Sequence, residues 1–186
     1  MIISTIWVFL VGIYFIIFFL MAHITIHGNP ITTVWHLPEI GGLAPDFILT
    51  GLDFGDIKLS DYVGKRIILN IFPSVDTGVC SLSVKKFYQH ISQLSNTVVI
   101  CISKDLPLAQ KRFCDAETIQ NLIMWSDFKN GWFANDYGVL MTSWPLAGLL
   151  SRAIVLIDEA NTVIYTEQVC EITTQPNYDA VVALLQ

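Results

Sequence analysis

The sequence has 186 residues, a formal net charge of −6, and 14% charged against 53% hydrophobic residues. A chain of this length forms one domain with an adequate core and is too short for two ordinary domains. The acidic charge argues against a nucleic-acid-binding protein, and the apolar content excludes a disordered chain. Four cysteines are too few for a disulfide-stapled secreted scaffold, and the lack of a second long apolar run excludes a multispan membrane protein.

Residues 1–20 form an apolar segment without a charged residue. Such a run is long enough to cross a bilayer as one helix. It makes a poor cleaved signal peptide, because it lacks a basic n-region and Leu20-Met21-Ala22 is a weak cleavage site. Two interpretations therefore stay open: residues 1–20 are a transmembrane anchor, or they are an over-extended start before Met21. In both cases residues 21–186 form one globular domain.

The pattern of residues 21–186 predicts strands and helices in alternation. Residues 22–27 and 31–36 alternate in polarity around Gly28-Asn29-Pro30 and predict a β-hairpin. Apolar runs and turn residues predict further strands and helices, namely strands at 47–52, 66–72, 97–103 and 123–125 and helices over 81–94 and from Pro107, capped by Asp105.

A second hairpin at 152–157 and 162–166 and a helix at 177–185 complete the predicted chain order. This order predicts an α/β fold in which helices flank a mixed central sheet. It is typical of a thioredoxin-like core with an N-terminal β-hairpin added, preceded by one apolar helix at residues 1–20.

Cys80 has the most distinctive position among the four cysteines. It follows a predicted buried strand and a loop, and it lies at the start of a predicted helix. A thiol there faces unpaired backbone N–H groups and the positive end of the helix dipole, which both favour the nucleophilic thiolate. Thr77, three residues earlier, can direct its hydroxyl at the sulfur, and Pro73 can shape the approach to it. On position alone, a purely structural cysteine is the alternative.

The other cysteines fit bystander positions when the residues alone are considered. Cys101 lies inside an apolar strand and is interpreted as a small buried side chain, and Cys170 is interpreted as lacking a catalytic role. Cys80-Ser81-Leu82-Ser83 has the pattern C-x-x-S and lacks the second cysteine of a C-x-x-C motif. A resolving thiol must therefore come from another part of the chain or from another molecule. A zinc site is not expected, because the sequence has no pairs of Cys or His at the spacing of metal ligands. The four histidines are far apart in the sequence and are interpreted as structural or surface residues: His23, His27, His36 and His90.

The loop before Cys80 contains Pro73-x-x-x-Thr77-x-x-Cys80, which resembles the peroxidatic signature of peroxiredoxins. Residues 70–80 (NIFPSVDTGVC) and 101–114 (CISKDLPLAQKRFC) are similar in particular to the bacterial thiol peroxidases. Further similarity lies at Tyr137-Gly138-Val139, at Arg152-Ala153 and at residues 171–174 (EITT). The resemblance extends over essentially all of residues 21–186.

The resemblance implies a thioredoxin-like fold and a thiol-dependent peroxidase that reduces hydrogen peroxide and organic hydroperoxides. Cys80 would be the peroxidatic cysteine and Cys114 the resolving cysteine, and the disulfide between them would be reduced by thioredoxin. Thr77 and Arg152 would polarise the peroxide and hold Cys80 as a thiolate, while Pro73 would shield the sulfenate. From the residues alone, Arg152 is instead expected on the surface at a strand edge.

The resemblance also implies a homodimer, no bound cofactor and a catalytic domain in the cytoplasm, where thiols stay reduced. The domain would be membrane-anchored if residues 1–20 are present. Four apolar residues are candidates to contact an organic substrate near Cys80, and a place in the core is the alternative for each: Phe72, Val79, Leu82 and Trp144. Two other functions stay open: a membrane-tethered thiol–disulfide carrier, which the missing C-x-x-C opposes, and a peroxide-sensing redox switch, which needs the same reactive thiol.

Overall fold

The computed structural model describes residues 21–91, 94–119 and 122–185. The apolar segment at residues 1–20, and the helix predicted there, lie outside these residues. Among the residues that are described, none of the helices is long and apolar enough to cross a membrane.

The described residues form a small two-stranded sheet and a seven-stranded sheet. The small sheet pairs β1 (His23–Ile26) with β2 (Asn29–Thr32) in antiparallel orientation. The strands of the large sheet, in chain order, are β3 (Ile48–Thr50), β4 (Asp56–Lys58), β5 (Arg66–Ile71), β6 (Thr97–Ser103), β7 (Ile123–Ser126), β8 (Ala153–Ile157) and β9 (Val163–Gln168). The α-helices are α1 (Gly78–Ile91), α2 (Pro107–Ala116), α3 (Trp132–Asp136) and α4 (Tyr178–Ala183), and a 3-10 turn covers Leu59–Tyr62.

The large sheet has the spatial order β4-β3-β7-β6-β5-β8-β9 and is mixed, as predicted. Strands β5, β6 and β7 are parallel and are connected through α1 and α2, whereas β8 runs antiparallel to β5. The carboxyl ends of β5 and β6 therefore meet at one edge of the sheet, together with the start of β8. Open α/β sheets commonly carry their binding sites at such an edge.

The core lies on both faces of the sheet, which explains why the central strands are continuous apolar runs. Alternate residues of β5 face opposite sides: Ile67 and Leu69 pack with α3, whereas Ile68 packs with α1, α2 and α4. The apolar cluster on the side of α1, α2 and α4 contains Cys80, Cys101 and Cys114.

Two local predictions need correction, and two short elements were missed. The first hairpin turns at His27 and Gly28, whose φ angles are 49° and 76°, so β2 begins at Asn29 rather than after Pro30. A two-residue turn with two positive φ angles matches the natural twist of a hairpin. Strand β4 and helix α3 were not predicted, because three to five residues are too few to show a period. Helix α1 begins at Gly78, so Cys80 lies inside its first turn.

Candidate active site

The Cys80 thiol is fully buried in the first turn of α1, directly behind the loop that leaves β5. The loop ends in a turn in which the backbone N–H of Ser81 donates to the Thr77 carbonyl, 3.0 Å away. This turn brings the Thr77 hydroxyl to 2.7 Å from Cys80 Sγ. The same hydroxyl is 3.3 Å from the Ser74 carbonyl, so its orientation is set by the loop. The predicted Thr77–Cys80 contact is present.

Arg152 approaches Cys80 from the start of β8. Its Nη2 donates to Cys80 Sγ over 3.2 Å, and its Nε donates to the Ile172 carbonyl over 2.9 Å. The side chain is only 2% exposed, so the surface position expected from the residues alone is wrong. The position implied by the family resemblance is the one observed. The residue precedes a buried strand whose register places it beside α1, which sequence periodicity does not reveal.

The charge of Arg152 has no carboxylate partner within ion-pair distance among the described residues. A guanidinium keeps its proton, and a buried cation is costly unless an anion or hydrogen-bond acceptors compensate it. The acceptors that compensate the Arg152 guanidinium are the Ile172 carbonyl and the Cys80 sulfur. Two hydrogen-bond donors, Arg152 Nη2 and the Thr77 hydroxyl, therefore converge on the Cys80 sulfur. The second terminal nitrogen, Nη1, is buried and has no hydrogen-bond partner among the described residues, so it is available to a substrate oxygen.

A cavity of about 180 Å³ opens beside this group. Thr77 and Arg152 line it together with Pro73. The rest of the lining is mostly apolar and comes from four parts of the chain: Ile26, Val79, Leu146, Leu149 and Ile172. The cavity therefore combines two hydrogen-bond donors at the sulfur with an apolar wall.

Of the four apolar residues predicted near a substrate, Val79 alone is among the residues that line this cavity. Phe72 is fully buried in the core beneath α1. Leu82 is 44% exposed and Trp144 is 87% exposed, so both face away from the interior. Ile26, Leu146 and Leu149 were missed because they reach the site through tertiary packing of the hairpin and of a loop without periodicity.

Cys114 lies on α2 and is 5% exposed, in the same apolar cluster as Cys80. Burial raises the pKa of the Cys114 thiol, and the charge of Asp115 raises it further. Both cysteines are free thiols here, so the structure represents the reduced protein. The two helices cover the same face of the sheet.

The remaining cysteines occupy the positions predicted from the residues. Cys101 on β6 is fully buried, and burial raises its pKa to about 12 although Asn70 donates a hydrogen bond to its sulfur over 3.4 Å. A thiol that resists ionisation so strongly is a poor nucleophile at neutral pH. Cys170 is exposed just after β9.

Asp105 is not the helix cap that the sequence predicts. The N-cap of α2 is Leu106, without a side-chain hydrogen bond. The Asp105 carboxylate instead accepts hydrogen bonds from Ser74 Oγ at 2.7 Å, from the Val75 N–H at 2.8 Å and from Ser103 Oγ at 2.8 Å. The loop at residues 73–77 contacts this carboxylate because the adjacent parallel strands β5 and β6 bring the loop and the end of β6 together. This connection was missed by the sequence analysis.

Glu171 fastens the N-terminal hairpin to the segment after β9. Its carboxylate accepts hydrogen bonds from Thr25 Oγ1, the backbone N–H groups of His27 and Gly28, and both the N–H and the hydroxyl of Thr173. These bonds, led by the Thr173 hydroxyl, hold the pKa of Glu171 well below its ordinary value. The anchored hairpin contributes Ile26 to the cavity, and the anchored segment contributes the Ile172 carbonyl that orients Arg152.

Comparisons with known proteins agree with this geometry. A family model described as Redoxin matches residues 39–182. The proteins named "Thiol peroxidase" from Mycobacterium tuberculosis and Mycobacterium bovis are each 51% identical over 165 residues, covering 89% of this chain and 99% of the relative. The chain belongs to the redoxin family, among its thiol peroxidases. It is therefore an oxidoreductase that reduces peroxide with thiols.

Solved structures of this family show the same architecture. A peroxiredoxin-like protein from Aquifex aeolicus superposes with a TM-score of 0.83 at 36% identity, covering 89% of this chain and 96% of its own. A thiol peroxidase from Chromobacterium violaceum superposes with a TM-score of 0.82 at 25% identity, covering 88% and 95%. The predicted thioredoxin-like fold is thereby confirmed. The alternative functions, a tethered thiol–disulfide carrier or a sensor, receive no support from these relatives.

Proposed function

We propose that Cys80 is the peroxidatic cysteine of this thiol peroxidase and Cys114 its resolving cysteine. The observation that carries the first assignment is the position of Cys80 Sγ between Thr77 Oγ1 and Arg152 Nη2 beside the cavity. Cys114 is assigned by family resemblance, and its place in the same apolar cluster as Cys80 supports the assignment.

In the first step, the Cys80 thiolate attacks the terminal oxygen of a hydroperoxide that occupies the cavity. An S–O bond forms and the O–O bond breaks, so the sulfur is oxidised by two electrons to a sulfenic acid. The leaving alkoxide or hydroxide takes a proton from solvent and departs as alcohol or water. Arg152 Nη1, which has no hydrogen-bond partner in the part of the chain that the structure describes, and the Thr77 hydroxyl stabilise the charge that develops on the peroxide oxygens. Pro73, buried in the cavity wall, limits access of water and further peroxide.

In the second step, the Cys114 sulfur attacks the Cys80 sulfenic acid. An S–S bond forms, the S–O bond breaks, and the leaving hydroxide takes the Cys114 proton to give water. Both sulfurs are buried in separate helices, so α1 or α2 opens locally before they meet at bonding distance. In the third step, an external dithiol of the thioredoxin type reduces the disulfide by thiol–disulfide exchange.

The lining of the cavity favours organic hydroperoxides as substrates alongside hydrogen peroxide. Ile26, Leu146, Leu149 and Ile172 present an apolar wall beside the two polar donors. Burying an alkyl group there contributes about 0.8 kcal/mol per CH₂. We expect a small alkyl hydroperoxide to react with a higher kcat/KM than hydrogen peroxide, and Leu149→Asp to remove this preference while hydrogen peroxide still reacts.

The proposed setting is a homodimer whose catalytic domain lies in the reducing cytoplasm, close to thioredoxin. No bound cofactor is needed by the three steps, since thiols carry all the electrons. For residues 1–20 both interpretations stay open, a transmembrane anchor and an over-extended start before Met21. Mass determination of the native protein and its partition between membrane and soluble fractions decide between an anchor and an over-extended start.

The experiment that tests this function mixes reduced protein with a hydroperoxide and follows turnover with thioredoxin, thioredoxin reductase and NADPH. We expect Cys80→Ser to abolish peroxide consumption. We expect Cys114→Ser to retain a single oxidation by peroxide and to lose turnover, while Cys101→Ser and Cys170→Ser keep turnover. Peroxidase turnover by the Cys80→Ser variant would contradict the proposal.

A further inference from the structure

Asp105 joins the loop before Cys80 to the segment that leads into the Cys114 helix. We propose that Asp105 is a positioning residue that sets the balance between the folded, peroxide-reactive site and the opened state in which Cys114 reaches Cys80. The inference rests on the proposed roles of the two cysteines and adds the residue that couples their two segments.

The first part of the argument runs from Asp105 to Cys80. Oδ1 accepts from Ser74 Oγ, and Oδ2 accepts from the Val75 N–H, so the carboxylate holds two successive residues of the loop. The Ser74 carbonyl then lies 3.3 Å from both the N–H and the hydroxyl of Thr77. That hydroxyl contacts Cys80 Sγ. A shift of Ser74 is therefore transmitted to the donor at the reacting sulfur.

The second part runs from Asp105 to α2. Oδ2 also accepts from Ser103 Oγ, which in turn accepts from Nε2 of the buried Gln110 over 3.0 Å. The Asp105 carbonyl accepts a short hydrogen bond from Ser126 Oγ. The next residue, Leu106, caps α2, and its carbonyl accepts from the Gln110 N–H at 3.1 Å. The start of the helix that carries Cys114 is thus fixed to the same carboxylate as the peroxidatic loop.

A carboxylate accepts from all three donors, whereas an amide can accept from the donors on one side only. Asparagine at this position keeps one acceptor oxygen and presents an NH₂ group at the other site. With its oxygen facing the Val75 N–H and Ser103 Oγ, the amide turns its NH₂ group towards Ser74 Oγ, so the Ser74 contact reverses its direction and every contact loses the ionised acceptor. Hydrogen bonds to an ionised acceptor are also stronger than those to a neutral one. Asp105→Asn therefore loosens the loop and the start of α2 together.

The variant should change the two chemical steps in opposite directions. Oxidation of Cys80 needs the ordered donors, so its second-order rate constant should fall about tenfold, the cost of one misplaced hydrogen bond. Disulfide formation needs local opening, so its first-order rate constant should rise severalfold. With excess peroxide, less Cys80 should then be trapped as sulfinic acid, since resolution competes better with overoxidation.

The test uses rapid mixing of the reduced full chain with tert-butyl hydroperoxide, acid quench, and mass measurement of thiol, sulfenic, sulfinic and disulfide forms. Asp105→Asn is compared with Asp61→Asn, which removes a carboxylate from a surface turn at the far end of β5, where it accepts one backbone hydrogen bond from the Lys58 N–H. In Asp105→Asn we expect slower oxidation of Cys80 and faster disulfide formation, whereas in Asp61→Asn we expect both rate constants to stay unchanged.

Equal rates in Asp105→Asn and the unchanged protein, or a parallel fall of both rate constants, would overturn the inference and leave Asp105 a structural residue. If Asp105→Asn does not fold, Ser74→Ala removes one of the three donors and should show the same opposite shifts on a smaller scale; unchanged rates there would equally overturn it. Absence of Cys80 oxidation in the unchanged protein would refute the proposed function instead, so the two failures are distinguishable.

Discussion

Arg152 Nη2 lies 3.2 Å from Cys80 Sγ, although 72 positions separate the two residues in the chain. The contact follows from the sheet. Strand β5 ends at Ile71, which pairs with Ala153 at the start of the antiparallel strand β8. The loop and helix that follow β5 and the residue that precedes β8 are therefore neighbours at one edge. The fold thereby places a fixed cation beside the proposed nucleophile.

Replacement of Arg152 should slow the reaction with peroxide much more than it changes the fold. Lysine supplies a cation but has a single nitrogen, so it cannot donate to the Ile172 carbonyl, to Cys80 Sγ and to a substrate oxygen in the fork geometry. We expect Arg152→Lys to lower kcat/KM for hydroperoxide about 100-fold, and Arg152→Gln to lower it further. Stopped-flow oxidation of Cys80 measures this, with the exposed Arg112→Lys as control. An Arg152→Lys variant with unchanged kcat/KM would contradict the proposed role.

Thr77 should act through its hydroxyl rather than its shape. Valine has nearly the same volume but cannot donate to Cys80 Sγ, whereas serine retains the donor. We expect Thr77→Val to lower the rate of Cys80 oxidation about 100-fold and Thr77→Ser to recover most of it. The same stopped-flow measurement distinguishes them. Equal rates in the two variants would show that the hydroxyl is not required.

Cys114 should react slowly with alkylating agents while the protein is folded. Burial raises the pKa of this thiol, so at neutral pH it stays protonated and covered. A thiol pKa that is raised by folding stabilises the folded state at every pH below the pKa of the unfolded chain. This stabilisation is lost as the pH rises through the pKa of the folded state. We expect iodoacetamide to label exposed Cys170 quickly and Cys114 slowly at pH 7, with a steep increase for Cys114 at higher pH.

Unfolding in urea supplies the control for this alkylation experiment. In urea, Cys114 and Cys170 should react at similar rates, because burial no longer separates them. Peptide mass analysis at timed intervals reads both sites in one sample. Labelling of Cys114 in the folded protein as fast as that of Cys170 would show that its helix is already open before peroxide arrives.

Glu171 should make stability depend on pH in acid. The hydrogen bonds from Thr173, Gly28 and Thr25 lower the pKa of Glu171 in the folded protein. The ionised carboxylate therefore stabilises the fold at pH values above its ordinary pKa of 4.5, and this stabilisation is lost as the pH falls towards the pKa of the folded state. We expect Glu171→Gln to lower Tm at pH 7 and the difference from the unchanged protein to shrink below pH 4.5. Calorimetry at a series of pH values measures this, with the exposed Glu159→Gln as control. A difference in Tm that is independent of pH would contradict the ionised anchor.

Several features of this protein could be predicted from the residues. Long, mostly apolar runs such as 66–72 and 97–103 identified the buried strands, because both faces of a central strand are covered and most of its positions are apolar. The motif Pro73-x-x-x-Thr77-x-x-Cys80 placed three parts of the site, since these residues are close in sequence as well as in space.

Other features depend on contacts between distant segments and have no local signal. A polar residue before an apolar strand is usually exposed, so burial of Arg152 came from the family resemblance rather than from the residues. Asp105 lies just before α2, at a position typical of an N-cap residue. Its carboxylate binds Ser74 and Val75 in the loop after β5, and this contact becomes visible only when the neighbouring strands are placed side by side. The cavity wall formed by Ile26 and Leu149 likewise exists only after the hairpin has docked.

The central claim is that Cys80 and Cys114 form the catalytic disulfide. The most direct measurement treats reduced native protein with one equivalent of an organic hydroperoxide and maps its peptides by mass without reductant. The account predicts one linked peptide pair, Cys80 with Cys114, while Cys101 and Cys170 remain thiols. Cys80 left unlinked, or cysteines oxidised at random, would contradict it.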